Sequence, residues 1–202
     1  MMSLVIVSGS QRPHSESARV AEYITRAAVM FEHTRHIELC QMDLPFWDGS
    51  QQSRANHPHW NEISDALNNA DAIALVTPEW GGMASPLMKN FLLMCEQHTL
   101  AHKPLFLSAV VSGVSGTYPI AELKMNALKN LKSVVVPDHL IVRNVNDLLH
   151  HSEQVSERDQ SLRTRIDYYL HMLKHYTDAM VPLRERISRE PHPQQQQFIY
   201  GM

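Results

Sequence analysis

The chain has 202 residues, with 18 Lys and Arg against 21 Asp and Glu, 13 histidines and a formal charge of −3. At 44% hydrophobic and 19% charged residues it has the makeup of one globular domain, and its near-neutral balance argues against a protein held to nucleic acid by overall charge. No run approaches the roughly 18 apolar residues of a membrane span, the start lacks the basic leader of a signal peptide, and two cysteines make no disulfide framework, so the expected location is cytoplasmic.

Leu4-Val5-Ile6-Val7 is a short apolar run stopping at Ser8-Gly9-Ser10, as a buried strand entering a tight loop would. Val20, Ile24, Ala27, Ala28 and Phe31 then recur at helical spacing, and Ile37 and Leu39 alternate with polar neighbours as a second, shorter strand. Asp43 to Pro58 reads as a long loop, after which Trp60, Ile63, Leu67 and Ala70 restore the helical period. Ala72–Val76 is the third strand, ended by Thr77-Pro78. Ser85-Pro86 starts a helix running to about Gln97, with Ser as N-cap and Pro at the first helical position.

Pro104 opens a fourth strand, Leu105–Val111. Ile120, Leu123, Ala127, Leu128 and Leu131 predict another helix, and a fifth strand position lies around Pro137. A last helix from about Ser156 carries Leu162, Ile166, Tyr169, Leu170, Leu173 and Met180 on one stripe, until Pro182 ends or kinks it. Residues 1–182 therefore read as the domain and 183–202 as an extension, with a tail from Glu190 that is mobile or used in contacts with another subunit. The alternation implies right-handed crossovers and a parallel sheet covered on both faces: one three-layer α/β domain.

In such sheets ligands collect beyond the carboxyl ends of the strands, which singles out three loops. Ser8 to Ser17 offers the hydroxyls of Ser10, Ser15 and Ser17, the guanidinium of Arg12 and the free amides of the next helix, the groups that bind a terminal phosphate. The competing reading makes Ser15 or Ser17 a simple cap and Arg12 a surface charge. The loop is neither GxGxxG nor a Walker A sequence. Thr77 to Ser85 sets Trp80 before Gly81 and Gly82, suiting a planar ligand approached by backbone, and Val111 to Pro119 is small and hydrogen-bonding. Either could be a plain connection.

The run Gly9-Ser10-x-Arg12-x-x-Ser15-x-Ser17 resembles the phosphate loop of the NADPH-dependent FMN reductase family. Pro78-Glu79-Trp80-Gly81-Gly82, with Leu87, Lys89 and Asn90 downstream, resembles that family's Pro-Glu-Tyr-Asn-Gly and Leu-Lys-Asn motifs. The likeness spans Leu4 to about Val142. It implies a flavodoxin-like fold with a five-stranded parallel sheet in the order 2-1-3-4-5, and FMN reduced by NADPH or NADH. By the same resemblance Ser10, Arg12, Ser15 and Ser17 bind the FMN phosphate, with Glu16 contributing its backbone. Pro78, Glu79, Trp80, Gly81 and Gly82 line the isoalloxazine, and Ser112, Gly113, Gly116 and Thr117 meet its pyrimidine edge. No side chain need act as acid or base, and Glu79 is expected to serve as a structural hydrogen-bonding group.

The chain departs from the pattern with Trp80 for Tyr, Gly81 for Asn, Met83 and Ser85 for Ser and Pro, and Thr117-Tyr118 in the third loop. These changes bear on substrate and nicotinamide preference more than on flavin binding. His98 and His102, and His171 and His175, are spaced i,i+4, but neither pair has a third ligand placed by motif, so no metal site is expected. The partners expected are a small electron acceptor (a quinone, flavin, azo or nitro compound, or metal species) and a second copy of the chain, as homodimer or homotetramer. The helix from Ser85 carries an apolar surface, Leu87, Met88, Phe91, Leu92, Met94 and Cys95, wider than one sheet face needs. The alternatives are a flavodoxin-type electron carrier and a cofactor-less interaction subunit.

Overall fold

The computed structural model describes residues 2–150 and 155–198. Strands β1 (Ser3–Ser8), β2 (His33–Glu38), β3 (Ala72–Trp80), β5 (Pro104–Val111) and β6 (Val134–Arg143) form a parallel sheet in the order β2-β1-β3-β5-β6; β4 (Met83–Ala84) pairs antiparallel with the end of β3. Setting β4 aside, this is the expected 2-1-3-4-5 order. The three central strands are buried nearly throughout, whereas the edge strand β2 exposes His33 to Arg35.

Alternation along each strand divides the core between two faces. Val5, Val7, Ile73, Leu75, Leu105 and Leu107 pack on helices α3 (Trp60–Asn69), α4 (Pro86–Met94) and α7 (Leu128–Asn130). Leu4, Ile6, Ala74, Val76 and Phe106 pack on α1 (Glu16–Ala27) and α8 (Glu157–Arg189). Short helices α2 (Gln52–Ala55), α5 (Gln97–Leu100) and α6 (Thr117–Glu122) complete the layers. Among the described residues no helix is long and apolar enough to cross a membrane.

Several local expectations are corrected. Leu39 belongs to a 3-10 turn rather than to β2, and α2 interrupts the expected long loop. The third strand does not end at Thr77 but runs through Pro78 to Trp80. Its pairing with β1 stops at Ser8↔Val76, so Pro78 lies where β3 keeps only β5 as a parallel neighbour. Helix α4 stops at Met94 instead of Gln97. Its Met88, Phe91, Leu92, Met94 and Cys95 are buried within the chain's own core, so only Leu93, 62% exposed, is left over as a large apolar group.

In β6, Val136, Pro137 and Asp138 face the single residue Phe106 of β5, because Leu105 pairs with Val135 and Leu107 with His139. The bulge accommodates a residue with no N–H to donate. Helix α8 passes through Pro182 and reaches Arg189. Pro182 and Asp178 are both exposed, so water can satisfy the carbonyl that loses its helical donor. Arg184 ties this last stretch to Asp71 at 2.9 Å. Of the tail, Gln195–Phe198 forms a 3-10 turn whose Phe198 carbonyl accepts from Lys132 Nζ at 2.8 Å; residues 199–202 lie outside the described residues.

Candidate active site

The sheet order reverses between β1 and β3, and the loops after β1, β3 and β5 meet at that end. The first two are joined directly: Gly9 N–H donates to Val76 O at 2.9 Å, and Ser85 Oγ donates to Gly9 O. Ser85 also caps α4, accepting from Met88 N at 3.0 Å, while its own N–H donates to Thr77 Oγ1 at 3.1 Å. Residue 9 must be glycine for this approach, since a Cβ there would lie 2.7 Å from Met88 Cβ. Thr77, Ser85 and Met88 are therefore site-building residues that the motif reading left out; only the capping role of Ser85 was legible.

In the first loop Ser10 is buried and its Oγ accepts from Arg12 N at 3.1 Å. Ser15 is the N-cap of α1, accepting from Ala18 N at 3.1 Å, and Ser17 is buried in the first turn. The two readings of Ser15 are thus compatible: it caps, and it stands in the same loop as the other hydroxyls. The Glu16 carboxylate is engaged by Arg19, Nε to Oε2 at 2.9 Å, and Arg19 in turn donates to the Val145 and Leu148 carbonyls. Glu16 thus offers the loop a backbone amide without a free charge. Arg12 is exposed, with no ion pair among the described residues, and its Cζ lies 5.3 Å from the Trp80 ring centroid. A carboxylate-free guanidinium, several hydroxyls and a helix N-terminus fit a dianionic phosphate monoester.

In the second loop Gly81 and Gly82 have φ of +58° and +77° and form the two-residue turn of the β3–β4 hairpin. That turn favours glycine at both positions whatever else they do. Both are exposed, with open space where a Cβ of Gly82 would stand, so a flat ring can come close. Pro78 is buried and Trp80 half-buried.

Glu79 links the second and third loops. Its Oε1 accepts from Ser115 Oγ at 2.9 Å and its Oε2 from Gly116 N at 2.7 Å. With both oxygens engaged it works as a strut, consistent with the expected structural role. The third loop is held from beneath as well: Arg143 Nε donates to Ser115 O at 2.8 Å and Asn144 N to Gly113 O at 3.1 Å. Ser112 and Gly113 are exposed, with nothing within 4 Å of a Cβ built on Gly113; Thr117 is exposed at the start of α6. Gly116 differs. It is buried, its φ is +105° and its N–H is committed to Glu79, so it shapes the loop and has no amide to give a ligand.

Asn90 and Lys89 act on the surroundings. Asn90 Oδ1 accepts from Trp47 N and its Nδ2 donates to Pro45 O, both at 2.8 Å, fixing the segment before α2. Lys89 bonds Glu122 at 2.9 Å, and Glu122 also accepts from Ala84 N at 2.7 Å. At the base of the first loop, Ser8 Oγ bonds His36 Nε2 at 2.8 Å, and burial pushes the imidazole below its ordinary pKa.

The thiols do not suit nucleophilic chemistry: burial, then Glu38, pushes Cys40 up to about 11, and burial raises Cys95 further. Among the described residues no three His, Cys, Asp or Glu side chains converge as metal ligands. His98 and His102 do not share a helix face, because α5 ends at Leu100 and His102 has a φ of +58°.

Comparison with known proteins agrees with this geometry. The NADPH-dependent FMN reductase family matches residues 2–147. An NADPH azoreductase of Bacillus sp. (strain OY1-2) is 25% identical over 94% of this chain and all of its own length. A quinone reductase of Pseudomonas putida is 25% identical over 57% of this chain and 63% of its own. Among solved structures, an oxidoreductase from Corynebacterium diphtheriae superposes with a TM-score of 0.72 at 18% identity, covering 90% of this chain and 98% of that one. A flavoenzyme NAD(P)H:(acceptor) oxidoreductase from Paracoccus denitrificans gives 0.69 at 17% identity, covering 89% and 99%. With the phosphate-fitting loop, the glycine hairpin and the strutted third loop at one end of a flavodoxin-like sheet, the chain belongs to the NADPH-dependent FMN reductase family and is an FMN-dependent NAD(P)H oxidoreductase.

Proposed function

We propose that the loop after β1 holds the FMN phosphate, that the loops after β3 and β5 flank the isoalloxazine, and that the electrons pass to a planar aromatic acceptor of the quinone or azo class. One observation carries this reading: the loop after β1 brings Ser10, Arg12 and the α1 N-terminus to the strand switch point, and the Arg12 guanidinium, without an ion pair among the described residues, stands over Trp80 at the start of the glycine hairpin. Bound FMN supplies the hydride chemistry. Ser10, Arg12, Ser15 and Ser17 bind the phosphate, with the Glu16 and Ser17 amides at the positive end of α1. Pro78 and Glu79 hold the hairpin in place, Trp80 offers an aromatic wall, and Gly81 and Gly82 leave one approach unobstructed. Ser112, Gly113 and Thr117 supply polar groups at the ring edge, on a loop that Glu79 and Gly116 keep rigid.

The apolar exposure of Met83, Val114 and Tyr118 around these loops favours a flat, weakly charged acceptor, in keeping with relatives named azoreductase and quinone reductase. Titration of the purified protein with FMN, followed by NADPH oxidation assays with a quinone and an azo dye, tests the assignment. Saturable FMN binding and FMN-dependent turnover of either acceptor are expected. Absence of FMN binding would sink it.

The assembly we propose is a homodimer, or a homotetramer built from it, formed across the outer face of α4. A cavity of about 1080 Å³ runs along that face, lined in part by Trp47, Leu92, exposed Leu93, Leu131 and Ile187, and includes no residue of the three ligand loops. Light scattering should give at least twice the 23.1 kDa chain mass, and Leu93→Asp should lower it. A wild-type mass equal to one chain would refute the assembly. Free thiols at Cys40 and Cys95 suit a reducing cytoplasm.

A further inference from the structure

Arg12 and Trp80 belong to different loops, yet the guanidinium stands over the indole with Cζ 5.3 Å from the ring centroid. Arg12 lacks an ion pair among the described residues, and its backbone N–H is anchored to Ser10 Oγ at 3.1 Å. A guanidinium presents two kinds of surface: its faces attract an aromatic ring, and its edge carries five N–H donors in the plane. The ring attracts the cation without consuming its five donors, so the indole and an anion can be served together.

We infer that Trp80 is a positioning residue for Arg12, presetting the guanidinium that takes the phosphate. This rests on the reading that the first loop binds FMN. An exposed arginine loses rotamer freedom when it captures an anion, and a side chain already held on a ring has less to lose. Tryptophan is the strongest aromatic partner for a cation, so Trp80 in place of the more usual tyrosine strengthens the hold. The phosphate loop and the isoalloxazine wall are then energetically coupled.

A double-mutant cycle read with two ligands tests this. FMN and riboflavin, which lacks the phosphate, are titrated by flavin fluorescence into wild type, Arg12→Ala, Trp80→Leu and the double variant. Trp80→Leu should weaken FMN about two- to fivefold more than it weakens riboflavin, and this excess should vanish in the Arg12→Ala background. Trp80→Phe, which keeps an aromatic face, should fall between wild type and Trp80→Leu. Equal weakening of both flavins by Trp80→Leu, or effects on FMN that simply add, would overturn the positioning role and leave Trp80 as a wall. Unchanged FMN affinity in Arg12→Ala would instead overturn the phosphate assignment itself.

Discussion

Gly9→Ala tests how closely the fold and the site are joined. The added Cβ would stand 2.7 Å from Met88 Cβ, 2.8 Å from Met88 Cε and 3.2 Å from Ser85 Oγ. The terminal methyl of Met88 can swing aside, but its Cβ is fixed to α4, so either the helix or the loop must move. Overpacking of this kind costs about 1–3 kcal/mol, which in a chain of this size lowers Tm by roughly 2–12 °C. The displacement falls on the Ser85–Gly9 hydrogen bond, and therefore on the loop that carries Ser10 and Arg12. Urea denaturation and FMN titration of the same variant should report both losses. Met88→Ala should not rescue it, because alanine retains the offending Cβ and adds a cavity cost of about 2–5 kcal/mol. Gly113→Ala is the control: its Cβ meets nothing within 4 Å, so stability should stay within about 0.5 kcal/mol of wild type. A Gly9→Ala protein as stable as the Gly113 variant, with unaltered FMN affinity, would refute the packing argument.

Glu79→Ala removes both acceptors of the strut and leaves the Gly116 N–H unpaired, so it should cost about 1–3 kcal/mol and speed amide exchange at Gly116, whereas Glu79→Gln can still accept from Gly116 N and donate to Ser115 Oγ. Unchanged exchange there would show that the third loop does not depend on Glu79. Burial lowers the pKa of His36, and also of His102 and His139, where neighbouring lysines add to the effect. The folded chain then binds fewer protons than the unfolded one, so these groups contribute stability present above pH 6.5 and lost as pH falls below it. Denaturation curves from pH 7.5 to 5 should show that decline, and His36→Gln should flatten part of it; an identical profile would remove His36 from the account. If one exposed flavin face serves both NAD(P)H and the acceptor, double-reciprocal plots at several acceptor concentrations should be parallel, and intersecting plots would show both bound together.

Much of the fold is written locally. Continuous apolar runs mark β1, β3 and β5 because both of their faces are covered, and the helical stripes of α1, α3 and α8 follow from the face each must bury. Ser15, Ser85 and Ser156 cap their helices through their own oxygens, a chemistry contained within four residues. The order of the loops and their hydroxyl, arginine and glycine content were equally legible, which is why the loops after β1, β3 and β5 could be singled out from the amino acids alone, though not the β3–β4 hairpin within the second of them. Tertiary structure decided whatever depends on a distant neighbour. Pro78 stays in a strand because β1 has already ended beside it, and Pro182 stays in a helix because its turn faces water. The apolar width of α4 is absorbed by the chain's own core, through residues whose burial no periodicity reports. Gly116 spends its amide on Glu79, 37 residues away, and Arg12 meets the indole of Trp80 across two loops. Such contacts exist only once the sheet has brought the ends of β1, β3 and β5 together, since spacing along the chain carries no record of which loops become neighbours.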